Sequence, residues 1–208
     1  MLRSRLRSLF HYFENLVNPY PQDLGGTPPR ELLAFILHFT RPVLPLLLVM
    51  SLLTALVSAA EVLFFHYMGQ LVDWLAGAER AGFFAEYGWR LAGMAALVMV
   101  LLPLLTLLQA LITHQSIFGN YPMIGRWLAH RHMLGQSLAF YQDEFAGRVS
   151  QKVMQTALAI RETVMKLMDL MVYVVVYFAG AMLLLGSAEP WLMLPLVAWL
   201  AGYIAIMR

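Results

Sequence analysis

Three sets of hydroxyl, amide, carboxyl and phenol side chains recur at intervals of three and four residues. They are Ser51, Thr54, Ser58 and Glu61; Thr106, Gln109, Thr113, Ser116 and Asn120; and Glu162, Lys166, Asp169, Tyr173 and Tyr177. That spacing puts each set on one face of a helix. All three lie in or beside long apolar stretches, where polar groups avoid lipid, so each seam faces a bundle interior or a water-filled cavity. Two readings stay open: a pathway lined by Glu61, Gln109, Thr113, Asp169, Tyr173 and Tyr177, or helix packing through small and hydroxyl residues. Asp169 has Lys166 three residues earlier as a local partner. Glu61 has no cation within a turn, so its carboxyl must be protonated, paired across helices or hydrated.

Other chemistry is missing from the sequence. Only Lys152 and Lys166 occur, neither in a G-x-x-x-x-G-K-[ST] phosphate loop. There is no H-E-x-x-H, and His130 and His132 are two apart, which on a helix prevents convergence on a metal. With no cysteine there is no disulfide, thiolate ligand or thiol nucleophile. No catalytic, cofactor-binding or metal residue is expected in this chain.

The elements that carry the seams follow from composition. The 208 residues are 61% hydrophobic and 12% charged, with a mean hydropathy of +0.68, which marks an all-α integral membrane protein. Four runs approach or exceed the length needed to cross about 30 Å of hydrocarbon: about 43–68, 91–112, 167–186 and 191–207. Lys and Arg counts orient them. Residues 1–41 hold five, 119–166 hold six, 73–90 hold two and 186–190 hold none. The first two segments are therefore expected in the cytoplasm, and the other two outside. Residues 1–28, with Arg3, Arg5 and Arg7, read as a cytoplasmic tail near anionic headgroups rather than a processed leader. "PPRELLAFILHFTRP" predicts a short interfacial helix bounded by prolines.

Between the second and third runs the helical periodicity continues outside the membrane. Ile124, Trp127, Leu128, Arg131, Leu134 and Leu138 descend, and Val149, Val153, Leu158 and Ile160 return. Some twenty residues each way predict a hairpin reaching roughly 30 Å into water. Its tip, "FYQDEFAGRV", carries Phe140, Tyr141 and Phe145, which either pack on the stems or dock into another protein.

The stretch Leu138 to Val164 resembles the first intracellular loop and third helix of ATP-binding-cassette (ABC) exporters. Phe140, Tyr141, Gly147, Arg148, Val149, Ser150 and, loosely, Lys152 carry the match; Gln155-Thr156 depart where the family commonly has an acid. "MGQLVDWLAG" is similar to the end of that family's first helix. The resemblance covers about residues 30–208 and implies four of the six helices of an exporter transmembrane domain. It further implies that Phe140, Tyr141, Gln142, Asp143, Glu144, Phe145, Gly147 and Arg148 couple to a nucleotide-binding domain, fused or separate. ATP and Mg would be bound by that domain, outside these residues. The units would pair as homo- or heterodimers in a bacterial inner membrane, N-terminus cytoplasmic. A rival from another class is a non-transporting four-helix scaffold, a regulatory subunit or an inactive truncated transporter, whose hairpin binds a soluble partner.

Overall fold

A computed structural model describes residues 2–22, 27–77, 83–143 and 146–207, and among them every regular element is helical. A short helix α1 (Leu2–Glu14) is followed by α2 (Leu32–Thr40), which starts after Pro28-Pro29 and ends at Arg41-Pro42, as the proline spacing predicts. The long α3 (Leu44–Gly77) follows almost without a break: the Val43 amide bonds to the Thr40 carbonyl at 2.9 Å.

The second long helix runs from Phe83 to Leu134, 52 residues or roughly 78 Å at helical rise. It is composite: α4 (Phe83–Ala96), a π-helical turn at Leu97–Leu101, α5 (Leu102–Ala110), a second π-helical stretch at Leu111–Ile117, and α6 (Asn120–Leu134). Pro103 gives the first π-turn its cause, because its ring would collide with the Met99 carbonyl four residues back, and a widened turn relieves that collision. The tip contains α7 (Leu138–Asp143), and the return is α8 (Ala146–Met165), a π-turn at Lys166–Leu170 and α9 (Met171–Ala188). Pro190–Leu192 form one 3₁₀ turn before α10 (Met193–Met207). Among the described residues four helices are thus long and apolar enough to cross a membrane: Leu44–Gly77, Phe83–Leu134, Gly147–Ala188 and Pro190–Met207.

The chain divides into two compact units. The first comprises residues 1–53 and 107–170. Its core joins Val43, just before the first long helix, and Leu47 and Met50 within it, Ile117, Tyr121, Ile124 and Leu128 of the second, and Ile160 and Val164 of α8. These positions recur at three and four, so each helix contributes one stripe. Val43, Leu47, Met50, Ile117 and Ile124 are fully buried, and for Ile117 and Ile124, beyond the apolar run, burial from water contributes about 1.5–3 kcal/mol each. Gly125 lets α6 and α8 approach closely: a Cβ there would lie 3.2 Å from Ala157 Cβ. Val17, from the segment after α1, completes the core.

The second unit comprises residues 54–106 and 171–208. It buries Thr54, Val57, Ser58, Ala60 and Leu97, and otherwise shows lipid-compatible apolar surface such as Val175 and Leu183. The Ser58 hydroxyl donates to the Thr54 carbonyl at 2.8 Å, satisfying itself within the helix, as hydroxyls in apolar surroundings do. Gly180 packs against Val62 so closely that a Cβ would lie 2.8 Å from Val62 Cγ2. Small residues at such crossings are what lets membrane helices pack.

Candidate functional site

In the first unit the seam residues find partners across helices. Gln109 Nε2 donates to Asp169 Oδ1 at 3.2 Å, joining the second and third long helices. Asp169 sits in the Lys166–Leu170 π-turn, and Gln109 lies just before the Leu111–Ile117 π-stretch. Sequence alone paired Asp169 with Lys166; the structure supplies a partner sixty residues away. The Ser51 hydroxyl donates to the Met168 carbonyl. Thr113 Oγ1 is buried in the π-stretch and finds no partner among the described residues. Within these pathway candidates, then, Gln109 and Asp169 meet, and Thr113 faces the interior without a donor or acceptor.

The second unit holds the other three. The Tyr173 phenol donates to Glu61 Oε2 at 2.8 Å, and the Tyr177 ring lies parallel to that of Tyr173, 5.6 Å between centroids with 13° between planes. Of the alternatives open to Glu61, the structure selects pairing across helices. Glu61, Tyr173 and Tyr177 form one cluster, whose carboxyl oxygen, phenol and aromatic faces can hold a hydrogen-bond donor or a cation.

The tip is built by the hairpin of α6, α7 and α8 in the first unit. Tyr141 is partly exposed, and its hydroxyl turns back to donate to the Met133 carbonyl near the end of α6. Phe140 is half-buried and meets Tyr141 edge to face at 5.3 Å. The Tyr141 oxygen thus ties the tip to its own stem, as packing on the stems predicts, while the residue stays 40% exposed. Gln142, Gly147 and Arg148 are exposed, and Asp143 ends α7. Glu144 and Phe145 lie outside the described residues. Beside the tip, a groove of about 350 Å³ is lined by Arg126, His130, Met133, Tyr141, Ser150 and Val153.

Three structural partners had no sequence signal. Thr40 Oγ1 and the Tyr121 hydroxyl lie 2.6 Å apart in the core, tying α2 to α6. Pro122 lacks the amide that would bond the Phe118 carbonyl four residues back, and Arg161 Nη1 donates to that carbonyl instead, at 3.4 Å. The same guanidinium lies 4.1 Å from the centre of the Phe118 ring. Finally, residues 13–22 of the tail are held by side chains of the second long helix: Ser116, Asn120, Trp127 and Arg131 all donate to backbone carbonyls there.

No protein-family model matches this chain, and no solved structure matches it. It is similar, at 41% identity over 200 residues, to an "Uncharacterized ABC transporter ATP-binding protein" of Haemophilus influenzae. That alignment takes in 96% of this chain and 32% of the relative, so the chain spans about a third of the length of the protein it matches.

Proposed function

We propose that this chain is the transmembrane part of an ATP-driven ABC exporter, moving a substrate across the inner membrane. One observation carries the reading: a relative named as an ABC transporter ATP-binding protein aligns with nearly the whole chain, which amounts to a third of it. Four membrane-length helices, two of them far longer than a bilayer needs, support it. The sequence offers no phosphate loop, so ATP and Mg would be bound by a nucleotide-binding domain outside these residues.

In this reading the tip is a lever. Closure of nucleotide-binding domains around ATP displaces Phe140 to Arg148, and the two stems, packed along Gly125–Ala157 and the Ile124, Leu128 and Ile160 stripe, pass that motion to the membrane. The Tyr141 bond to Met133 makes tip and stem move together. Gln109–Asp169 and Glu61–Tyr173 are the polar contacts available to rearrange when the bundle changes state. The units would work as dimers.

The rival scaffold also uses the tip for docking, and nucleotide separates the two. The chain has no cysteine, so a single cysteine at Gln142 reports the docking contact by cross-linking in native membranes. The expected result is a cross-link to a nucleotide-binding domain whose yield changes when ATP and vanadate trap the closed state. A cross-link indifferent to nucleotide, with no ATPase attached, would establish the scaffold instead.

A further inference from the structure

The last turn of the N-terminal helix is bonded to the second long helix just past the end of its apolar run, and its surface matches a headgroup environment. Ser116 Oγ donates to the Phe13 carbonyl at 2.7 Å and Asn120 Nδ2 to the Glu14 carbonyl at 3.0 Å. The uncharged apolar run of the second long helix ends at Ile112, and four further residues to Ser116 descend about 6 Å. The headgroup layer outside the hydrocarbon is about 5–8 Å thick on each side. These two bonds therefore pin the last turn of α1 at headgroup level. The following segment leaves that level toward the cytoplasm: Trp127 Nε1 and Arg131 Nη1 hold the Pro21 carbonyl, and Arg131 Nη1 also holds that of Gln22 at 2.9 Å.

The helix so placed is amphipathic. Ser4, Ser8 and His11 share one polar face, whereas Leu9, Phe10 and Phe13 lie on the other. Phe13 packs on the protein core, and Leu9 and Phe10 remain 43% and 38% exposed. Arg5 and Arg7 flank the apolar face and are exposed. Apolar side chains bordered by guanidinium groups suit the boundary between acyl chains and anionic headgroups.

We propose that α1 lies in the cytoplasmic leaflet and binds anionic phospholipid, Arg5 and Arg7 taking the phosphates and Leu9 and Phe10 entering the acyl boundary. Through Ser116 and Asn120 the bound lipid is coupled to the second long helix at its Leu111–Ile117 π-stretch. The inference rests on the membrane-length helices and on the Lys and Arg count that places residues 119–166 on the cytoplasmic side, and stands apart from the exporter reading.

The test uses the full chain in nanodiscs, with one nitroxide at a cysteine introduced at Phe10, Leu9 or His11. Discs of pure phosphatidylcholine are compared with discs containing phosphatidylglycerol. Expected is that labels at Phe10 and Leu9 become oxygen-accessible and nickel-chelate-protected with phosphatidylglycerol, while the label at His11 stays chelate-accessible. Each arginine near an anionic surface contributes a factor of about five in the binding constant, so Arg5→Gln with Arg7→Gln should lower the ratio of protected to exposed label in phosphatidylglycerol discs on the order of twentyfold. A label at Leu183 should be unchanged, showing that the chain remains inserted. Chelate access at Phe10 and Leu9 in both lipids would overturn the proposal, as would protection that ignores both lipid charge and the arginine changes.

Discussion

The phenol of Tyr173 donates a 2.8 Å hydrogen bond to the carboxyl of Glu61, one turn from the stacked ring of Tyr177. Hydrogen bonds between membrane helices average about 0.6 kcal/mol and reach about 1.7. A carboxyl acceptor deep in an apolar helix belongs at the upper end. Tyr173→Phe should therefore lower unfolding free energy by about 1.5 kcal/mol in a denaturant titration in mixed micelles. Glu61→Gln, which keeps an acceptor oxygen, should cost less than half of that. Equal losses from the two variants would show that the contact is not specific to this donor and acceptor.

Pro122 and Arg161 form a compensating pair. Proline withholds an amide from the Phe118 carbonyl, and the arginine supplies a donor from α8. Arg161→Ala should destabilise the natural chain by about 1–2 kcal/mol, having removed both a charged donor and a cation over a ring. In a Pro122→Ala background the helix can make its own bond, and the same change should cost distinctly less. A double-mutant cycle with no coupling energy would reject the pairing.

Gly180 is a packing requirement. Any side chain there meets Val62 at under 3 Å, and overpacking of this kind costs about 1–3 kcal/mol. Gly180→Val is expected to fall in that range, and Val62→Ala in the same chain should restore part of the loss. Thermal unfolding of both variants in identical detergent decides it; a harmless Gly180→Val would mean that the helices separate at little cost.

Thr40 and Tyr121 share a hydroxyl–hydroxyl contact in the driest part of the first unit, where both residues are at most 4% exposed. Removing the Thr40 hydroxyl strands that of Tyr121. Tyr121→Phe and Thr40→Val should each cost about 1–3 kcal/mol, while the double variant should cost less than their sum. The Thr40 hydroxyl also donates to the Ile36 carbonyl at 2.6 Å, so Tyr121 is the donor between the two hydroxyls; Tyr121→Phe leaves Thr40 a partner and should be the better tolerated of the two.

Much of the architecture was legible in the sequence. The runs at 43–68, 91–112, 167–186 and 191–207 all fall within helices, and the elbow bounded by prolines is α2. Membrane-length apolar runs state their own conformation, because backbone groups in lipid can be satisfied only internally. The expected boundaries were short: the first helix runs on to Gly77 and the second from Phe83 to Leu134. Hydropathy marks where hydrocarbon ends, whereas a helix already nucleated propagates beyond it at little cost.

The seams show where sequence stops. Spacing put Glu61, Gln109, Asp169, Tyr173 and Tyr177 on inward faces, since polarity inside an apolar helix forbids a lipid-facing position. Which of them meet was decided by tertiary structure, and in part by π-turns at Leu111–Ile117 and Lys166–Leu170 that shift a helix face by a fraction of a turn. Periodicity assumes 3.6 residues per turn and cannot register such shifts. The tail makes the same point: its arginines raised the expectation of a headgroup environment, but the contacts that hold its Phe13 and Glu14 carbonyls come from Ser116 and Asn120, more than a hundred residues away. Composition and spacing determined that this chain is helical, membrane-length and bent into a long hairpin; pairing across helices, which depends on backbone geometry that no single segment encodes, determined everything finer.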